Sequence, residues 1–148
     1  MSFKRPESVL VVIHTTAGQV LLLQRLDDPA FWQSVTGTLE ADEHPHQTAL
    51  REVLEETGLD CQASGLALHD CRSVSQYTIR SQWLHRYPPG TVTNTEYLFT
   101  LCVPRPFEPV LTEHSDYVWL GKDEARQRCW SDTNARAIEH WVPSIPQP

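Results

Sequence analysis

The segment from Gly37 to Leu59, G-T-L-E-A-D-E-H-P-H-Q-T-A-L-R-E-V-L-E-E-T-G-L, constrains this chain more than any other part of it. From about His46 to Thr57 its pattern is helical, and Gly58 suits the left-handed residue that ends a helix. At about 100° per residue, Leu50, Val53, Leu54 and Thr57 fall on one side, the side expected to face a core. Glu52, Glu55 and Glu56 are expected on the opposite side, because 52/55 and 52/56 are i,i+3 and i,i+4 neighbours. Two like charges about 5 Å apart repel by roughly 3 kcal/mol at an effective dielectric near 20, and these carboxylates make several such pairs. Glu55 and Glu56 also occupy the last helical turn, where the helix dipole disfavours negative charge. A helix built only for stability would carry Lys or Arg there. Clustered hard oxygen ligands suit Mg²⁺, with Mn²⁺ able to substitute.

The rest of the chain is expected to supply a mixed α/β frame for that helix. Ser8 to His14 is apolar and β-branched and reads as a buried strand; Val20 to Gln24 reads as its hairpin partner across a turn at Thr15 to Gly18. A short extended segment, Gln33 to Thr36, runs into Gly37. Further strands are expected at Ala67 to Arg80, Thr93 to Val103 and Asp116 to Leu120. A closing helix is expected over Trp130 to Trp141, with Ser131 or Asp132 as its N-cap. At 148 residues the chain fits one domain, 1–148.

Composition narrows the function classes. The net charge of −7 argues against a nucleic-acid partner, which needs a basic face. The longest apolar run, Val9 to Ile13, is too short to span a bilayer, so no membrane partner is expected. The N-terminus lacks the cleavage pattern of a signal peptide, no DNA-binding appendage precedes the end at Pro148, and a cytoplasmic protein is the default. No obligate protein partner is evident. Cys61, Cys71, Cys102 and Cys129 are too widely separated for the short-spaced pairs that bind zinc, and are expected as small buried hydrophobes. His44 and His46, either side of Pro45, are expected at the surface.

An isolated E-x-x-E-E is ordinarily a solvated helix face, but here it sits in a larger frame. Gly37, Glu43, Arg51-Glu52-Val53, Glu55-Glu56 and Gly58-Leu59 stand at the spacing of the Nudix box, and the segment resembles the strand–loop–helix–loop of Nudix hydrolases. That resemblance implies an α/β/α sandwich around a mixed β-sheet and hydrolysis of a phosphoanhydride bond. It implies Glu52, Glu55 and Glu56 as metal ligands, Glu43 as a residue that orients or ligates, and Arg51 as the group that holds the carboxylates. Members often add a carboxylate from a loop before a late strand, for which Glu113 is the best placed. Either Glu52 or Glu113 would be the base that activates water, with Glu56 and Arg51 completing the catalytic set.

Beyond the box, the chain looks like the branch of that family that cleaves dihydroneopterin triphosphate. The residues that carry this are Gln24-Arg25 with Asp27-Asp28-Pro29, Phe31 to Gly37, His85-Arg86-Tyr87, Asn94-Thr95-Glu96, Thr112-Glu113-His114 and Trp119-Leu120. The implied partner is a small-molecule pterin or nucleoside triphosphate such as dATP. Lys4 and Arg25 are expected near phosphate oxygens. Thr36, His114 and Ser131 are further candidate substrate contacts, and Tyr77 to Arg80 a candidate wall for the ring. Trp32, Trp83 and Tyr97 are possible stacking partners. Two other readings stand beside this one: a housecleaning nucleotide pyrophosphatase, and a non-catalytic nucleotide sensor of the same fold.

Overall fold

A computed structural model of the protein describes residues 3–144. Met1, Ser2 and Pro148, on which the expectations about a leader and an appendage partly bear, lie outside the described residues. The elements run β1 (Glu7–Thr15), β2 (Gln19–Arg25), β3 (Trp32–Gln33), β4 (Val35–Thr38), α1 (Pro45–Thr57), β5 (Leu68–Thr78), a 3-10 helix (Ser81–Arg86), β6 (Thr93–Val103), β7 (His114–Gly121), α2 (Lys122–Arg128) and α3 (Asp132–Trp141).

β1 is the centre of the sheet because its apolar, β-branched run is buried on both faces. It pairs in parallel with β6 from Glu7 against Thr95 to Thr15 against Val103, and β5 runs antiparallel on the far side of β6. On its other edge, β1 is shared. β4 pairs with Ser8 to Val11, whereas β2 meets β1 only at His14 opposite Val20 and continues the sheet through β3 and β7. One parallel pair among antiparallel ones makes the sheet mixed.

Alternation along β1 divides the core. Val9, Val11 and Ile13 pack with Phe99, Leu101 and the α1 residues Ala49 and Val53. Leu10 and Val12 face the other way, against Leu98 and the α3 residues Ala137 and Ile138, with Ala125 of α2 beside them. Helices therefore cover both faces of the sheet, the α/β/α sandwich that the resemblance implies.

Two elements were not expected. The 3-10 helix at Ser81–Arg86 and α2 at Lys122–Arg128 are short and mostly polar, so neither prints a periodic apolar stripe. The extended segment before Gly37 divides into β3 and β4, and the last strand begins at His114 rather than Asp116. α3 starts at Asp132 with Ser131 as its N-cap. All four cysteines are free thiols; Cys61 and Cys71 are buried, while Cys102 points outward from β6 and is exposed, contrary to expectation. Among the described residues no helix is long and apolar enough to cross a membrane.

Candidate active site

The helix that carries the glutamates is rotated from its expected setting. Its buried side is Thr48, Ala49, Glu52, Val53, Glu56 and Thr57, and Leu54 is 47 % exposed. Glu52 and Glu56 thus face inward beside Val53 rather than opposite it, and Glu56 is only 3 % exposed. Glu55 lies on the outer side, half exposed. The rotation has a steric cause at β4: Gly37 gives the Glu52 carboxyl its space, and a Cβ on residue 37 would collide with that carboxyl. A Gly37→Ala variant is expected to fold but to displace Glu52, lowering kcat at least about a hundredfold. Steady-state kinetics beside a thermal melt would check this, and near-normal turnover would refute it.

Arg51 is the hub of the cluster. Its Nε and Nη2 donate to the two oxygens of Glu43 at 2.7 and 2.9 Å, and Nη1 donates to Glu52 at 2.7 Å and Glu55 at 3.1 Å. Nη2 also donates to the Thr38 carbonyl at 3.0 Å, tying α1 to β4. The Arg51 hydrogen bonds hold the Glu43 carboxyl down at about 2, against the upward pull of partial burial.

Glu52 and Glu56 are in the opposite condition. Burial pushes the Glu52 carboxyl up to about 7, even with Arg51 opposing, and neighbouring Glu55 and Glu113 push the same way. Burial raises Glu56 well above the usual carboxylate range, and the charges of Glu52 and Glu113 add to it. Glu56 Oε2 is buried with no hydrogen-bond partner. Its Oε1 stands 3.5 Å from His114 Nε2, but burial, followed by the charge of Arg25, lowers that imidazole to about 4 and leaves it neutral at pH 7.

Inward-facing carboxylates with an unpartnered oxygen fit a hard divalent cation. Among the described residues no three ligand-type side chains already stand at the spacing of a formed metal site. Arg51 now occupies one Glu52 oxygen and one Glu55 oxygen. Glu113 is brought to the same place by hydrogen bonds at the end of α1. Val110 N–H donates to the Thr57 carbonyl and Thr112 Oγ1 to the Glu55 carbonyl, each at 2.8 Å. Both acceptors are last-turn carbonyls that lack a helical partner.

Glu52, Glu56 and Glu113 line a cavity of about 950 Å³. It collects strand ends: the start of β1 at Ser8, the ends of β2 and β5 at Arg25 and Tyr77, Gln33 of β3, Thr36 to Thr38 of β4, and His114 at the start of β7. Basic and aromatic side chains line it too, among them Lys4, Arg25, Arg86, Trp83 and Tyr87. Burial lowers the Lys4 ammonium below its ordinary value, and the charges of Arg86 and Arg25 lower it further. Arg25 is gripped by Asp27 through two hydrogen bonds, at 2.7 and 2.6 Å, and lies over the Trp83 ring at 4.9 Å. Cations and carboxylates lining one cavity leave a space suited to a polyphosphate with a cation.

Lys4, Arg25, Thr36, Tyr77, Glu113 and His114 all line this cavity, with Glu52 and Glu56. Arg80 and Ser131 do not. The Arg80 guanidinium packs over Phe31, Trp83 and Trp130, and the Ser131 hydroxyl accepts from Asn134 N–H as the cap of α3. Of the possible stacking aromatics only Trp83 reaches the cavity. Trp32 packs against the α3-side core and Tyr97 donates its hydroxyl to Glu7. Gln33, Arg86 and Tyr87 were not singled out as contacts; the turn that presents Arg86 and Tyr87 has no apolar period to announce it.

A family model described as "NUDIX domain" matches residues 4–141. The chain belongs to the Nudix family. Within the Nudix family it is 46 % identical over 141 residues to a dihydroneopterin triphosphate diphosphatase of Escherichia coli K12, covering 95 % of this chain and 94 % of that one. It is 43 % identical over 143 residues to the protein of that name from Haemophilus influenzae, covering 96 % and 90 %. The solved structure of the E. coli dihydroneopterin triphosphate pyrophosphohydrolase superposes with a TM-score of 0.92 at 45 % identity, over 96 % of this chain and 98 % of that one. Nudix hydrolases generally use a divalent metal, in keeping with the inward-facing carboxylates.

Proposed function

We propose that this chain hydrolyses dihydroneopterin triphosphate to dihydroneopterin monophosphate and pyrophosphate, using Mg²⁺, for which Mn²⁺ can substitute. The observation that carries the reading is near-full-length identity of 43 % to 46 % with the diphosphatases that bear this name. The cavity supports it, because acidic and basic side chains line one space large enough for a triphosphate ester.

Glu52, Glu56 and Glu113 would hold the cation, with Glu55 able to join once released from Arg51. A bound divalent cation supplies charge neutralisation at the phosphate oxygens and eases deprotonation of water. Lys4 and Arg25, which line the same cavity, bind phosphate oxygens. Arg51 keeps Glu52 aimed, and Glu43 keeps Arg51 in place. The attacking water loses its proton to Glu52 or Glu113, its oxygen bonds to phosphorus, and the bridging P–O bond breaks to release pyrophosphate. His114, neutral and buried, contributes a dipole beside Glu56 and no charge.

The test is pyrophosphate and orthophosphate release from dihydroneopterin triphosphate, each common dNTP and ADP-ribose, with Mg²⁺ present. The pterin substrate is expected to lead in kcat/KM by at least about tenfold and to yield pyrophosphate. A lead for dATP or another dNTP would keep the phosphoanhydride chemistry and overturn the pterin assignment. Silence on every substrate while metal binds would favour a nucleotide sensor.

A further inference from the structure

Trp83, in the 3-10 helix Ser81–Arg86, draws cations together. Three guanidiniums lie over its indole: Arg25 at 4.9 Å from the ring centre, Arg80 at 5.4 Å and Arg86 at 6.0 Å. Lys4 joins them, since its backbone N–H donates to the Arg86 carbonyl at 2.8 Å. The charges of Arg86 and Arg25 both act on the Lys4 ammonium. Four of the 12 lysines and arginines in a chain of net charge −7 are thus gathered in one place.

Their counter-charge is incomplete. Arg25 gives Nε and Nη2 to Asp27, which leaves Nη1. Among the described residues no carboxylate oxygen lies within 4.0 Å of a side-chain nitrogen of Lys4 or Arg86. Arg80 is spent on packing, over Phe31 and Trp130 as well as Trp83, and stays out of the cavity. Lys4, Arg25, Arg86 and Trp83 itself line the cavity together with Glu52, Glu56 and Glu113. The charges of Glu52 and Glu113 act on Lys4, and that of Glu56 on Arg25, so the cations stand within electrostatic reach of the carboxylates. Like charges held together cost stability. The negative face of an indole attracts each guanidinium and offsets part of that cost.

We infer that Trp83 is the platform that holds Arg25 and Arg86 as a phosphate clamp, with Arg86 a phosphate-binding residue in its own right. The guanidinium fork matches phosphate oxygens in geometry and charge, and a polyanion is the class of ligand that relieves such a cluster. Trp83 is therefore a positioning residue that acts through the arginines, serving the phosphates of the substrate rather than its ring. The inference rests on the phosphoanhydride reading above and names how this chain grips the polyphosphate.

The probe is inorganic triphosphate, which has the phosphates and no ring. With Mg²⁺ in excess, its competitive inhibition constant is measured for wild type, Trp83→Leu, Trp83→Phe and Arg86→Gln, beside thermal melts. Trp83→Leu and Arg86→Gln are each expected to raise that constant and KM together by about tenfold, with a smaller change in kcat. Trp83→Phe keeps a weaker aromatic face and is expected to lose about threefold. If Trp83→Leu raises KM while inorganic triphosphate inhibits as before, Trp83 stacks on the ring and the inference is overturned. An unchanged constant in Arg86→Gln, or no inhibition of wild type, overturns it too. If Trp83→Leu melts well below wild type, Trp83→Phe carries the test, and an unchanged constant there is fatal to the platform. If dihydroneopterin triphosphate is left untouched, the proposed function fails, while inhibition against a dNTP still judges Trp83 and Arg86. If nothing is turned over, titration calorimetry of inorganic triphosphate with Mg²⁺ gives the same comparison.

Discussion

Glu56→Gln should abolish turnover, by about 10³-fold or more, while making the metal-free protein more stable at alkaline pH. Glu56 is buried in the cavity wall with one oxygen unpartnered, and Glu52 and Glu113 crowd it with like charge. Gln keeps the shape and removes the charge, so the fold survives and the cation loses a ligand. The pH dependence follows from the raised folded-state values. A carboxyl raised above its unfolded value contributes stability that is fully present below about pH 4.5 and is lost as the pH rises through the folded value, about 7 for Glu52. In chelator, the wild type should therefore melt at a falling temperature between pH 5 and 8. Mg²⁺ should restore the alkaline arm, because the cation binds the ionised form. The variant should show a shallower fall and weaker Mn²⁺ binding by titration calorimetry. Near-wild-type turnover in Glu56→Gln would sink the metal-site assignment.

Arg51→Met should cost both activity and stability. The arginine satisfies Glu43, Glu52, Glu55 and the Thr38 carbonyl at once, and its side chain is only 22 % exposed. Its loss leaves partly buried carboxylates uncompensated, a cost of about 2–3 kcal/mol after allowance for solvent, or roughly 5–10 °C in a chain of this size. Activity should fall about a hundredfold or more, because Glu52 loses the donor that aims it. The acid side supplies the sign. Glu43, held near 2, contributes stability that is present above about pH 4.5 and is lost as the pH falls through 2. The gap between wild type and variant should accordingly narrow on acidification. NMR titration of the Glu43 carboxyl in the variant should return it to the ordinary range; a value still near 2 would show that Glu40 N–H and Thr48 suffice to hold it.

β1 and β6 were legible because long β-branched runs have few alternatives to a buried strand. α1 was legible at its end, since Gly58 adopts φ +78° with its N–H on the Leu54 carbonyl. Its rotation was not legible. Hydrophobicity alone assigns Leu54 to the core and Glu52 and Glu56 to solvent, whereas the fold does the reverse for all three. The cation proposed for this site would offset the cost of that setting. Arg80 and Ser131 illustrate a second limit. Proximity in sequence to a ring wall or a helix start says nothing about whether aromatic packing or capping has already claimed the side chain. Arg86 and Tyr87 reach the cavity through a short polar turn whose path depends on tertiary contact; Lys4 N–H donates to the Arg86 carbonyl at 2.8 Å.

The two bonds from Val110 and Thr112 to the carbonyls of Thr57 and Glu55 join the last turn of α1 to the approach to β7. Neither segment can fray without breaking what holds the other, so they open as a single cooperative unit. Glu56 and Glu113, distant in sequence, are thereby placed in one opening event, and a cation bridging them would lock that event shut. Loading of the site would then be readable far from any ligand atom, in the slowed hydrogen exchange of the Val110 and Gly58 amides.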